Sequence, residues 1–295
     1  MSTRPPLVDE AALGRIGPQL GHHGGQGLVY ELLDHPDWLY KKYHAQTTVD
    51  VAALLELVTW PDRLVGRDRR IVDARTSWPR LLVQHATGHG VVIRRAPAQF
   101  THVAGNKRTG TDLQFACLDN GKWGGAGPAD PRTAICIVYR YAEVLDVFHR
   151  HDVVYGDMSY TNMLWSSATG WPGVFVIDCD ATWLTTGRRA LPAGQTWPWE
   201  DPWPDDGSAL RARRTDLFKL GQLFLRAYYH WGTGKIGLTT TSLGMRPDPP
   251  VTGRIVQLLT GALQREQPGL QRPEAAEWLV PLRNLERQMR SRASG

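Results

Sequence analysis

Val153-Val154-Tyr155-Gly156-Asp157-Met158-Ser159-Tyr160-Thr161-Asn162-Met163-Leu164-Trp165, followed by Val174-Phe175-Val176-Ile177-Asp178-Cys179-Asp180, is the stretch whose reading decides the rest of the chain. Asp157 and Asn162 stand five positions apart in a polar, turn-forming segment between apolar residues. The apolar run before Asp178 reads as a buried strand that ends on that carboxylate. Taken singly, each residue has an ordinary explanation: an Asp in a turn caps it, an Asn before an apolar run closes a loop, and an Asp after a strand opens the next turn. Taken in order, they aim two carboxylates and an amide at one place.

That set is what phosphoryl transfer needs. One carboxylate accepts the proton of an attacking hydroxyl, while an amide and a second carboxylate hold magnesium on the phosphates. In this reading Asp157 is the base, and Asn162 and Asp178 are the metal ligands. The pattern resembles the catalytic loop of the protein kinase family and its phosphotransferase relatives, D-x-x-x-x-N followed by a metal-binding Asp. The resemblance implies ATP with Mg2+ or Mn2+ as cofactors and an α+β, bilobal fold. A small N-lobe, an antiparallel sheet with one helix, is expected over residues 1–95, and a larger, mainly helical C-lobe over 96–295.

Upstream, a flexible lead-in and a first strand are expected before residue 20, and then Gly21-His22-His23-Gly24-Gly25-Gln26-Gly27-Leu28-Val29 runs into an alternating strand. Glycines let backbone N–H groups approach phosphate oxygens closely. Aligned on Gly24, Gly27 and Val29, with Gly25 beside them, the segment resembles the kinase G-x-G-x-x-G-x-V loop, although His22 stands in the first glycine's place. A strand after these glycines, rather than a helix, argues against dinucleotide-binding and Walker A loops. The next strand, Asp37 to Tyr43, carries Lys41 where the family's phosphate-binding lysine falls, and alternation sends Lys42 to the opposite face.

Thr47 to Asp50 can cap a helix over Val51 to Thr59, where the family keeps an acidic partner for that lysine. Glu56 is the candidate by distance, although it points away from the apolar face of Val51, Leu54, Leu55 and Val58; Asp50 is the alternative. Strands near Leu81 to Gln84 and Gly90 to Arg94 complete a small sheet and leave Arg95 and Ala96 at a hinge against which adenine would stack. Residues 98 to 130 are polar, Gly-rich and without strong period, as in lids and binding surfaces. Pro131 to Arg150 is a clear amphipathic helix.

Beyond Asp178, the Pro-rich segment to Pro204 resembles an activation segment, with Asp201-Pro202-Trp203 near the family's A-P-E and Glu200 close by. A helix from Arg214 to about His230 resembles the central kinase helix, whose Asp, here Asp216, holds the catalytic-loop backbone. The ordinary explanation of Asp216 is a first-turn carboxylate favoured by the helix dipole. Two more helices are expected over Val251 to Leu263 and Pro273 to Arg290, and Arg272 resembles the late Arg that pairs with the A-P-E Glu.

The chain also departs from the family. Gly156 replaces the Arg of H-R-D, so activity is expected not to depend on activation-loop phosphorylation. Ser159 replaces the Lys two positions after the base, and Cys179-Asp180 replaces Phe-Gly. The resemblance implies a serine/threonine protein kinase acting on a protein substrate. Two rivals stay open: a small-molecule phosphotransferase of the aminoglycoside- or choline-kinase type, and a nucleotide-binding pseudokinase scaffold.

Composition fits this class. The 295 residues are 42% hydrophobic and 21% charged, as in a soluble globular protein. Met1 to Pro6 lacks the apolar core of a signal peptide and no window approaches a membrane span, so a cytoplasmic location is expected. The three cysteines have no metal-ligand spacing and read as reduced thiols. The net charge of +5 gathers in Arg63, Arg67, Arg69, Arg70, Arg75 and Arg80, with Asp62, Asp68 and Asp73 interleaved. This Arg63–Arg80 segment is a candidate surface for an acidic partner, while its mixed signs suit a solvated helix face and argue against nucleic acid. Of the 12 Trp, several precede Pro and are expected to anchor loops onto the core.

Overall fold

The computed structural model describes residues 6–21, 25–104, 107–117, 130–167, 172–185, 187–192, 199–202, 206–229, 251, 253–264 and 271–293. Along the chain, β1 (Leu7–Asp9), β2 (Ile16–Leu20), β3 (Gly27–Leu32) and β4 (Trp38–Tyr43) precede α1 (Val51–Thr59) and α2 (Gly66–Arg75). Then come β5 (Pro79–His85), β6 (Gly88–Arg94), β7 (Thr101–Ala104), β8 (Lys107–Gly110), α3 (Gln114–Cys117), α4 (Pro131–Arg150), β9 (Val153–Val154), β10 (Met163–Ser166) and β11 (Gly173–Val176). β12 (Trp183–Leu184), α5 (Ala209–Tyr228), α6 (Gly253–Leu263) and α7 (Ala275–Ala293) follow. The fold is mixed α+β.

Two compact units share the chain: residues 1–110 with 175–194, and residues 111–174 with 195–295. The divide falls at Gly110 rather than at the expected 95, and the first unit takes back a later segment that includes Asp178. No local signal marks such a return, because it is made by packing and not by the adjacent sequence.

The first unit is built on a six-stranded sheet in the order β1-β5-β6-β4-β3-β2, in which β1 runs parallel to β5. The other ladders are antiparallel. Period-two alternation places Leu32, Tyr40, Val83 and Val92 in one buried cluster with Leu13. α1 begins as expected, with Asp50 as its cap accepting the Ala53 N–H at 3.1 Å. It buries Leu54 and Leu57, and the Leu57 carbonyl accepts the Trp78 indole N–H at 2.8 Å. Trp60 and Trp78 are buried with ring centroids 4.4 Å apart, so these Trp-Pro pairs anchor the core; the Trp of the other three pairs lie outside the described residues.

Part of the Arg63–Arg80 charge is neutralised locally. Arg69 bonds Asp62 and Asp73, and Arg80 bonds Asp73 as well. Within the expected aperiodic region, β7 and β8 form a hairpin of four-residue strands, too short for alternation to stand out; residues 118–129 lie outside the described residues.

The second unit is helical. α4 starts on the Asp130 cap with Pro131 in its first turn, and it packs on α5 and α7, while α6 packs on both of those helices. α5 begins at Ala209, earlier than expected, because the Ser208 hydroxyl accepts the Arg211 N–H at 3.1 Å and caps it there. Asp216 therefore sits well inside the helix, which removes the dipole explanation. Cys117, Cys136 and Cys179 are free and buried. Among the described residues no helix is long and apolar enough to cross a membrane.

Candidate active site

In the first unit Lys41 is delivered by β4. Its register partners are Val29 on β3 and Val91 on β6, so the three side chains share one face of the sheet. Lys41 is buried, and its Nζ lies 3.2 Å from Asp178 Oδ1 and 2.9 Å from Asp180 Oδ2. The Tyr43 hydroxyl, two positions along the same strand, donates to Asp180 at 2.8 Å. Burial alone would push the Lys41 ammonium down; Asp180 and then Asp178 outweigh it and hold the group above the usual lysine range. Lys42 points elsewhere, to Glu10 at 2.7 Å, as alternation requires.

The expected acidic partner on α1 is corrected by this geometry. Glu56 is exposed, and Asp50 is committed to its cap and to Arg188 at 2.9 Å. The partner comes from the chain after β11, where Asp180 lies 2.9 Å from the ammonium. Asp178 itself adopts φ 55°, a left-handed conformation that Asp tolerates better than most side chains. Its side chain is 43% exposed while that of Asp180 is fully buried, so Asp178 is the carboxylate open to a ligand.

The glycine segment divides. Gly24 and His22 lie outside the described residues, and Gly25 faces open space. At Gly27 a Cβ would sit 2.4 Å from the Lys42 carbonyl oxygen, so the close approach of β4 demands glycine whether or not a phosphate lies near. Arg95 is tied into the sheet: its guanidinium donates to Glu31 at 2.8 Å and its N–H to the Asp37 carbonyl at 2.9 Å. Ala96 follows it in a loop.

In the second unit the loop after β9 brings Asp157 and Asn162 together. The Asn162 amide donates to the Asp157 carboxylate at 2.9 Å and to its carbonyl at 3.0 Å. α5 supports this loop from beneath. Asp216, fully buried, accepts the N–H groups of Tyr155 and Gly156, both at 2.8 Å, and lies 3.1 Å from His149 Nε2. One turn on, Lys219 donates to the Gly156 carbonyl at 2.9 Å. Burial drives the Lys219 ammonium below its ordinary value, against the pull of Asp157, Asp216 and other carboxylates.

Gly156 is thus held on both sides by one helix, at φ 78°, which a side chain would strain. Glycine at 156 is therefore a backbone requirement of this loop. Tyr160, later in the loop, is anchored by the buried Arg226, whose guanidinium donates to its hydroxyl at 2.9 Å and lies 4.9 Å from the Trp199 ring centre.

Arg272 pairs with Asp201, Oδ1 at 3.0 Å, rather than with Glu200, and Arg211 reaches the same carboxylate at 2.8 Å. Sequence reading missed Asp180, Tyr43, Lys219 and Asp201 as partners. The second Asp of Asp178-Cys179-Asp180 and the i, i+2 spacing of Lys41 and Tyr43 were the available signals. No protein-family model matches the chain, and neither does any curated protein.

Proposed function

We propose that the chain is an ATP- and magnesium-dependent phosphotransferase of protein kinase-like, bilobal architecture, acting on a serine or threonine hydroxyl of a protein. The observation that carries this reading is the hold of Asp216 and Lys219 on Gly156, next to a carboxylate, Asp157, already bonded to the amide five residues on. A buried helix carboxylate committed to two loop N–H groups fixes the backbone of that loop, as a catalytic loop requires. The sheet unit would be the N-lobe and the helical unit the C-lobe.

The donor chemistry fits magnesium. Asn162 uses its amide nitrogen toward Asp157, its carbonyl oxygen takes only a long bond from the Thr161 hydroxyl at 3.5 Å and can turn to a cation, and Asp178 is accessible. Among the described residues no three His, Cys, Asp or Glu side chains form a metal cage, and a nucleotide-bound magnesium, which keeps phosphate and water ligands, needs none. When bound, the ion would neutralise phosphate charge. Lys41 would pair with the phosphates, Gly25 and the neighbouring glycines would cover them, and Asp157 would take the hydroxyl proton.

The Gly156-Asp157 pair with Ser159 in place of Lys favours a second reading, transfer to a small-molecule hydroxyl. The test is incubation with labelled ATP and magnesium or manganese, with and without a generic protein acceptor, beside Asp178→Asn. Label on protein that vanishes in the variant is expected. Nucleotide binding with label only on small molecules selects the second reading, and binding without any transfer selects a scaffold. An Asp157→Ala protein that transfers as fast as wild type overturns the mechanism.

A further inference from the structure

The second unit contains a cavity of about 530 Å³ between α4 and α7 that the proposed chemistry does not use. Cys136, Tyr139 and Arg140 line it from α4, and Arg283, Glu286, Arg287 and Arg290 from α7. These positions recur at helical spacing, so each helix turns one face to the cavity. Four arginines therefore meet one glutamate.

The charges are unequal in their commitments. Arg140 is paired with the buried Glu143 at 2.8 Å, and Arg290 with Glu286 at 2.9 Å, where Arg132 also binds at 3.0 Å. Arg283 instead donates to the neutral Tyr139 hydroxyl, with its guanidinium carbon 5.2 Å from the centre of that ring. Arg287 is exposed. Neither Arg283 nor Arg287 has a carboxylate partner among the described residues. Two guanidinium groups are left without a carboxylate, one of them held in place by an aromatic ring.

We infer that this cavity binds a small phosphate monoester carried on an apolar or aromatic body. Near neutral pH a phosphate monoester approaches two negative charges, which suits a cluster with two guanidinium groups that have no carboxylate partner among the described residues, and its oxygens accept the paired N–H bonds that Arg presents. The Tyr139 ring and the buried, protonated Cys136 thiol supply an apolar wall for the rest of the molecule. The volume lies in the range of single small-ligand sites rather than that of an extended peptide.

The probe is phenyl phosphate at millimolar concentration, titrated calorimetrically into the full chain, with phenol and inorganic phosphate as comparators. Wild type is expected to bind phenyl phosphate more tightly than either comparator. Arg287→Gln should weaken it several-fold and the double variant Arg283→Gln/Arg287→Gln about tenfold or more. Arg287 is exposed, so its variant reports on binding even where loss of the Arg283–Tyr139 contact unfolds the double variant. Affinity should also fall as pH drops through about 6, where the monoester loses its second charge. Absence of binding to wild type, or equal binding to Arg287→Gln, overturns the inference. None of these readouts depends on phosphotransfer.

Discussion

Asp180 holds Lys41 more closely than Asp178 does, 2.9 Å against 3.2 Å, and it does so from a fully buried position that also takes the Tyr43 hydroxyl. The two carboxylates after β11 therefore have different work. Asp180 neutralises a buried cation, and Asp178 keeps an accessible oxygen.

Removing one member of a buried pair leaves its partner uncompensated, at a cost of about 3–5 kcal/mol. Because Asp178 still faces Lys41 at 3.2 Å, Asp180→Asn should lower unfolding free energy by less than that full amount in denaturant titrations, and Asp178→Asn by less again, because Asp178 is partly solvated. Under the proposed function the order reverses for activity, with Asp178→Asn the more damaging. Because the Lys41 ammonium titrates higher in the folded than in the unfolded chain, the pair's contribution is complete below the unfolded value near 10.4 and is lost as pH rises through the folded one.

Asp216→Ala strips partners from the N–H groups of Tyr155 and Gly156. Each orphaned donor costs about 1–3 kcal/mol. Under the proposed function phosphotransfer should fall together with stability, and hydrogen exchange at those two amides should accelerate.

Lys219→Met removes a desolvated ammonium as well as one hydrogen bond, so its stability cost should be much smaller than that of Asp216→Ala. The sign with pH is distinctive. Because the folded value of Lys219 is depressed, the unfolded chain binds more protons between the two values, and the wild-type contribution of this group rises with pH there. In Lys219→Met that rise should be absent from melts taken across the alkaline limb. Activity should drop if the hold on the Gly156 carbonyl sets the Asp157 geometry.

Asp201 is shared by Arg211 and Arg272, and burial lowers the Arg272 value. Asp201→Asn leaves two buried guanidinium groups facing an amide, with an expected loss of about 3–5 kcal/mol. Arg272→Met should cost less, since Arg211 still neutralises the carboxylate. Urea midpoints for the two single variants and the pair measure the coupling.

Burial raises the Asp112 carboxyl to about 6, with only Gln114 bonds opposing the shift. The folded chain then binds more protons than the unfolded one between about 4 and 6, so this group's contribution falls as pH rises through that window. Asp112→Asn keeps an acceptor for the Gln114 N–H and should raise Tm by a few degrees at pH 7.5, with the gain vanishing near pH 4.

Much of the fold was legible because its signals are local. The β4 alternation, the Asp50 cap with the α1 apolar face, and Pro131 with the α4 stripe each lie within a few residues of one another. The register of Asp157 and Asn162 was legible for the same reason, since five residues of turn bring the ends of one loop together.

What the amino-acid order determined by itself is the longer elements and the chemical types placed at their ends: a strand lysine, a loop carboxylate with its amide, and a carboxylate after β11. Which groups pair was decided by tertiary structure. Asp180 rather than Glu56 meets Lys41 across 139 positions, Asp201 rather than Glu200 meets Arg272, and Lys219 meets Gly156 across 63. Hydrogen bonds and ion pairs act over about 3 Å, so a choice between adjacent carboxylates turns on backbone placement finer than one residue. Such placement comes from the packing of strands and helices distant in the chain, and periodicity and spacing carry no record of it.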